Sequence, residues 1–244
     1  MSWKAKFFLY LQRVMGRLSI FIVGPLTFIA VKLMGYRVRE LKETRKVVRD
    51  LFEKHKGPWI VCPNHLTMID SVILAYAMVP LRNYLFNYRM LLWNIPERSN
   101  FQSNIFLTVI CYLVKCVPVD RRGDRGKIKS TMDNCAYLLE KGESLLIFPE
   151  GTRSRTGRVD TENFSYGVGR LIANATDCWV MCVYLRGDDQ KTYSNIPEFG
   201  EHFTIKIETF SPDMKNRGLK AQRSCARQII EHLSRMEKDY FDRQ

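Results

Sequence analysis

The stretch Trp59-Ile-Val-Cys-Pro-Asn-His-Leu-Thr-Met-Ile-Asp70 decides the fold and carries the first chemical residues. Gly57-Pro58 stops whatever helix precedes it, and the run 59 to 62 of Trp, Ile, Val and Cys suits a short buried strand. Residues 70 to 79 then read as a helix. His65 and Asp70 fall between these two elements. In one continuous helix, residues five apart point roughly 140° away from each other, so the two side chains meet only if His65 lies in a turn and Asp70 in the first helical turn. Pro63 and Asn64 favour such a turn. The carboxylate would then orient the imidazole as a general base. Two plainer readings compete: Thr67 and Asp70 also fit the spacing of a capping box, and a lone histidine is more often structural than chemical.

Outward from this stretch, residues 38 to 55 read as a charged helix. Further strands are expected at 84 to 86, 116 to 119, 144 to 148, 179 to 185 and 203 to 210, each short and rich in β-branched or aromatic residues. Helices are expected at 102 to 113, 126 to 141 and 165 to 175, with a long charged one from 217 to 240. Strands alternating with helices give an α/β fold, a mostly parallel mixed sheet flanked by helices, with ligands at the carboxyl ends of the strands. The 244 residues suit one such domain, 38–244, behind an amino-terminal arm, 1–37.

Two more strand ends carry chemistry. Phe148-Pro-Glu-Gly-Thr-Arg-Ser154 places Glu150, Gly151, Thr152 and Arg153 where His65 is expected. Gly151 permits a left-handed backbone, and Arg153 offers a planar fork for phosphate or carboxylate. Taken alone, Glu150 and Arg153 would be a local ion pair. Val117-Pro-Val-Asp-Arg-Arg-Gly123 puts Arg121 just past a strand; Arg122 and Arg125 read as a solvated basic turn. The three ends together could form one anion-binding cleft.

The balance of 38 Lys and Arg against 25 Asp and Glu, a net charge of +13, favours a polyanionic partner. No zinc-finger spacing, basic-plus-heptad region or RNA-binding aromatic motif is present, so nucleic acid is not expected. Seven cysteines, odd in number and set mostly in apolar runs, read as small core residues of a reducing compartment; no metal site is expected. The triplets at Asn163 and Asn174 carry no weight.

Before Glu40 there is no acidic residue, whereas seven basic ones stand among Phe, Leu, Ile and Trp. The uncharged segment between Arg17 and Lys32 is shorter than the ~20 apolar residues of a bilayer span and is interrupted by Gly24-Pro25. No small-residue cleavage site follows it, which argues against a secretory signal. The expectation is two helices, about 3 to 22 and 25 to 35, lying in one leaflet; the plain alternative is an amphipathic helix buried on the domain.

These motifs resemble the blocks of the glycerolipid acyltransferase family that includes 1-acylglycerol-3-phosphate acyltransferases. Asn64-His65 with Asp70 matches its Asn-His-four-residues-Asp hallmark, and residues 148 to 153 match its Phe-Pro-Glu-Gly-Thr-Arg block in full. Arg121 matches an arginine that ends the intervening strand, and 183 to 187 is similar to the final block. The resemblance implies transfer of a fatty acyl group from acyl-CoA or acyl carrier protein to a lysophospholipid hydroxyl. It implies His65 as base and Asp70 as its partner. Asn64, Thr67, Arg121, Glu150, Gly151, Thr152 and Arg153 would form the substrate site, with Glu150 and the arginines holding the acceptor. No cofactor beyond the acyl donor is implied, and backbone donors near Gly151 or after His65 are expected to receive the oxyanion. The setting is a membrane-associated enzyme at the cytoplasmic face. Departures occur at Thr67, where serine is common, at Ser165-Tyr166 in place of a basic residue, at Cys182 in place of proline, and at 89 to 92. They leave other lyso-lipid acceptors open, and a non-catalytic lipid-binding module is the alternative from another class.

Overall fold

The computed structural model describes residues 1–121, 123–192, 194–213 and 218–243. In chain order the elements are α1 (Trp3–Leu33), β1 (Arg37–Val38), α2 (Leu41–Lys54), β2 (Trp59–Pro63), α3 (Asp70–Met78), α4 (Leu81–Phe86), β3 (Trp93–Asn94), α5 (Ile105–Leu113), α6 (Arg125–Glu140), β4 (Leu145–Leu146), α7 (Gly167–Asn174), β5 (Trp179–Gly187), β6 (His202–Phe210) and α8 (Gly218–Phe241).

One sheet runs in the order β1-β6-β5-β2-β4-β3, parallel at every pairing but β5 with β6. The alternation within its central strands explains its two covered faces. In β2, Ile60 and Cys62 enter one core while Trp59 and Val61 enter the other; in β5, Val180, Cys182 and Tyr184 part in the same way from Met181, Val183 and Leu185. A strand buried on both sides has no polar face to show, which is why these read as continuous apolar runs. Helices α6, α7 and α8 cover the first face. In α8 the buried residues Ala221, Cys225, Ile229, Leu233, Met236 and Tyr240 recur every three or four positions and so form one stripe. Gly169 of α7 lies so close to this helix that a Cβ there would stand 1.9 Å from the Gln222 carbonyl oxygen. Helices α1 to α4 cover the second face through Ile20, Val48, Ile73, Leu74 and Tyr84. All seven cysteines are free thiols, and Cys62, Cys116, Cys135, Cys182 and Cys225 are buried.

Three expectations are corrected. The arm is one helix of 31 residues rather than two. Pro25 withdraws a single backbone donor, and packing on both sides of it, at Ile20, Gly24 and Val31, holds the axis together. The helix is long and apolar enough to cross a membrane, unlike the shorter segment counted from Arg17. Residues 84 to 86 are helical, part of α4, which begins after Pro80 and directs the Tyr84 hydroxyl to the Ala75 carbonyl at 2.8 Å. Residues 116 to 119 run beside β3 and the residues after it through single bridges at Asn94–Cys116 and Glu97–Val119, a ladder that Pro96, with no N–H to give the Val117 carbonyl, does not complete. Arg122 and Arg217, read as a basic turn and a helix start, lie outside the described residues.

Candidate active site

His65 lies in the turn after β2, and Asp70 is the first residue of α3. His65 Nδ1 is 3.0 Å from Asp70 Oδ2. That same oxygen accepts the N–H groups of Leu66 at 2.7 Å and Thr67 at 2.9 Å, while Oδ1 accepts the Thr67 hydroxyl. A carboxylate only accepts, so Nδ1 carries the proton and Nε2 keeps its lone pair. Half of the capping box forms, since Asp70 takes the Thr67 N–H, but the Thr67 hydroxyl turns to the Asp70 carboxylate rather than to a backbone N–H of α3. The imidazole stacks on the Phe148 ring, centroids 4.0 Å apart, and is partly open, whereas Asp70 is buried.

The backbone of His65 is held from the next strand end. Its N–H donates to Glu150 Oε1 at 2.8 Å, and its carbonyl accepts the Ser154 N–H at 2.9 Å. Glu150 Oε2 in turn accepts the Asp160 N–H at 3.3 Å. Burial pushes the Glu150 carboxyl up to about 8, against the two N–H groups that favour its ionised form. Gly151 has φ +76°, and a Cβ there would stand 3.2 Å from Ser165 Cβ, so both backbone and space call for glycine.

His65 opens on a cleft of about 280 Å³, lined also by Asn94, Glu97, Asn100, Arg121, Phe148, Thr152, Arg153 and Arg155. Three guanidinium groups meet one carboxylate there, Glu97, whose Oε2 is 3.4 Å from Arg121 Nε. Arg153 Nη1 donates to the Ser194 carbonyl at 3.0 Å and to Asn195 Oδ1 at 2.7 Å, which ties the cleft wall to the loop after β5. A larger hollow of about 370 Å³, lined by Arg49, His55, Asn83 and Ser144 among others, lies at the amino ends of the strands. The chemistry selects the smaller one, because there a carboxylate orients the imidazole toward a basic wall. Such a site can take a proton from a hydroxyl while holding an anion nearby.

A family model described as Acyltransferase matches residues 36–186, more than half of the chain and all three strand-end motifs. The chain belongs to the acyltransferase family. No curated protein matches it significantly. Among solved structures it is similar to the 1-acyl-sn-glycerophosphate (LPA) acyltransferase PlsC from Thermotoga maritima, with 16% sequence identity, a TM-score of 0.51 and 98% of each chain covered. That likeness supports the fold along nearly the whole length.

Within this acyltransferase, the structure divides the residues singled out in the sequence. His65, Arg121, Thr152 and Arg153 share the cleft. Asn64, Thr67 and Glu150 do not line it. The Asn64 side chain bridges β2 to β5, donating to the Leu185 carbonyl at 3.0 Å and accepting its N–H at 2.7 Å. The Thr67 hydroxyl is taken by Asp70. Both oxygens of Glu150 accept backbone N–H groups, at 3% exposure. The backbone donors expected for the oxyanion are also engaged: Leu66 and Thr67 with Asp70, Met68 with the Asn195 carbonyl, and Gly151 with the Phe148 carbonyl. Sequence reading missed Arg155, Glu97 and Phe148 as cleft residues. Arg155 stands two residues past the Phe-Pro-Glu-Gly-Thr-Arg block, and that continuation was its available signal. Also missed was Glu237 of α8, whose carboxylate accepts the Val159 N–H at 3.2 Å and so steadies the loop that holds Glu150.

Proposed function

We propose that this acyltransferase moves a fatty acyl group from an acyl thioester, acyl-CoA or acyl carrier protein, to the free hydroxyl of a lysophospholipid, 1-acylglycerol-3-phosphate before others. The observation that carries this is the His65–Asp70 pair opening on a cleft with three arginines. An alcohol is a weak nucleophile at neutral pH; Nε2 of His65 takes its proton as the oxygen attacks the thioester carbonyl. Asp70 stabilises the imidazolium, a combination worth ~100- to 10,000-fold in rate. On collapse of the tetrahedral intermediate the C–S bond breaks, the imidazolium returns the proton to the leaving thiolate, and ester and free thiol result. Arg121, Arg153 and Arg155 suit the acceptor phosphate, because guanidinium forks match its oxygens. Thr152 lines the same wall, while Asn64, Thr67, Glu150 and Gly151 act by shaping it.

The arm, 1–37, places the domain, 38–244, on a membrane, with its acid-free and basic character suited to anionic lipids of the cytoplasmic face. Purified protein tested against a panel of lyso-lipids decides the acceptor. Turnover is expected with 1-acylglycerol-3-phosphate and is expected to fall when the phosphate is absent. No turnover with it, beside turnover of another lyso-lipid, would move the assignment to that acceptor.

A further inference from the structure

Helix α5, Ile-Phe-Leu-Thr-Val-Ile-Cys-Tyr-Leu, carries no charge, and none of its nine residues is buried. Asn104 caps it with its side-chain oxygen on the N–H groups of Phe106 and Leu107, so it is a formed helix. Ile105 and Phe106 are 68% and 77% exposed, and Val109 and Ile110 are also open. At ~3.6 residues per turn these positions cover a broad sector of its circumference. An apolar surface of this kind marks an interaction site.

Two observations say what covers it. First, α5 packs beside α1, where a Cβ on Gly16 would come 2.6 Å from the Leu113 carbonyl oxygen, and α1 carries exposed apolar residues of its own, Leu18 and Ile22 among them. Second, the charge is one-sided. Residues 1 to 39 include seven basic residues and no acid, and Arg98 stands exposed ahead of α5, whereas Lys115 after it is buried against Glu143. Apolar helices framed by cations fit an anionic bilayer.

We propose that α5 enters the headgroup–acyl boundary of an anionic bilayer together with α1, so that the membrane contact is a surface built by two separated parts of the chain. This rests on the membrane placement of α1 proposed above. Residues on both flanks of α5 return to the cleft, Asn100 before it and Arg121 after it, so insertion holds the rim of the His65 cleft at the lipid surface. A lyso-lipid then reaches His65 with its acyl tail still in the bilayer.

Full-length protein with Cys111→Ala and Cys178→Ala carries a bimane at Phe106→Cys or, separately, at Ile22→Cys. It is mixed with phosphatidylcholine–phosphatidylglycerol vesicles containing lipids brominated on the acyl chains. Quenching at both positions is expected. Quenching at 22 alone overturns the insertion of α5 and leaves that of α1 standing; quenching at neither overturns both. Shielding of position 106 without lipid, with a dimer mass in light scattering, overturns it in favour of a second copy of the chain. In a second arm, Phe106→Glu with Ile110→Glu is expected to turn over detergent-dispersed acceptor at the wild-type rate and vesicle-embedded acceptor at least about tenfold more slowly. Equal rates on both overturn the proposal, and the quenching arm decides it even if that variant fails to fold.

Discussion

At the scale of single residues, Asp70 does more than face His65: its two oxygens gather an imidazole N–H, two backbone N–H groups and a hydroxyl. Asp70→Asn puts an amide NH2 where an acceptor stood, opposing those donors and favouring the wrong imidazole tautomer. Its kcat is expected to fall by about 100- to 10,000-fold, with KM little changed; steady-state kinetics on detergent-dispersed acceptor check this. Glu150 gives a pH dependence. Its folded-state value, about 8, lies above its ordinary 4.5, so the native state holds the extra proton between the two. Its stabilising contribution is therefore complete below about 4.5 and is lost as pH rises through about 8. Glu150→Gln keeps the acceptor for the His65 N–H and cannot ionise. Urea unfolding across that pH window is expected to show a decline in the wild type that is reduced in this variant.

The same residues show what a sequence discloses about a site. Which types gather at strand ends was legible, because β2 and the strand before Phe148 are short apolar runs ended by polar residues. Which way each side chain points was not. Asn64 and Glu150 sit among the cleft residues in the chain, yet one turns to Leu185 and the other to the backbone of His65, because buried amides and carboxylates must find partners nearby. Arg155, outside any strong motif, reaches the cleft because the backbone bends after the left-handed Gly151.

At the scale of elements, α1 is joined to the domain by polar contacts as well as apolar ones. Gln12 donates to the carbonyls of Tyr112 and Cys116 at 3.0 and 2.8 Å, and Arg13 lies 3.4 Å from Glu143. Glu143 also accepts from the Trp93 indole at 2.9 Å and from the fully buried Lys115 at 2.8 Å. Lys115 completes its bonding with the Tyr88 and Leu91 carbonyls. Glu143→Ala leaves that ammonium without its counter-charge, at a cost of about 3–5 kcal/mol. Chemical denaturation is expected to show this loss; a change within 0.5 kcal/mol, the range of surface substitutions at about ±0.5, would mean the pair is not formed. Residues 84 to 86 and the continuity of α1 escaped sequence reading for one reason: short aromatic runs and an internal proline take the form their neighbours impose, here the packing of α1 against α3, α4 and α5.

At the scale of the whole molecule, charge and apolar surface act together. The net charge of +13 and the acid-free arm predict that full-length protein sediments with vesicles containing phosphatidylglycerol more than with phosphatidylcholine alone. The difference should shrink between 0.1 and 1 M salt, as the screening length drops from ~10 to ~3 Å. Binding indifferent to both lipid charge and salt would leave the basic residues without this role. The apolar part of the proposed contact is expected to persist in either case, since the exposed Phe8, Leu18 and Ile22 of α1 do not depend on charge.

The most direct measurement compares wild type and His65→Ala for acyl transfer to 1-acylglycerol-3-phosphate embedded in the same vesicles, with the bound fraction of each recorded alongside. Equal binding, with transfer by the wild type and a rate about 100- to 10,000-fold lower in the variant, is the predicted result. Equal transfer rates would show that His65 is not the base, and with it the chemistry assigned to this cleft would fall.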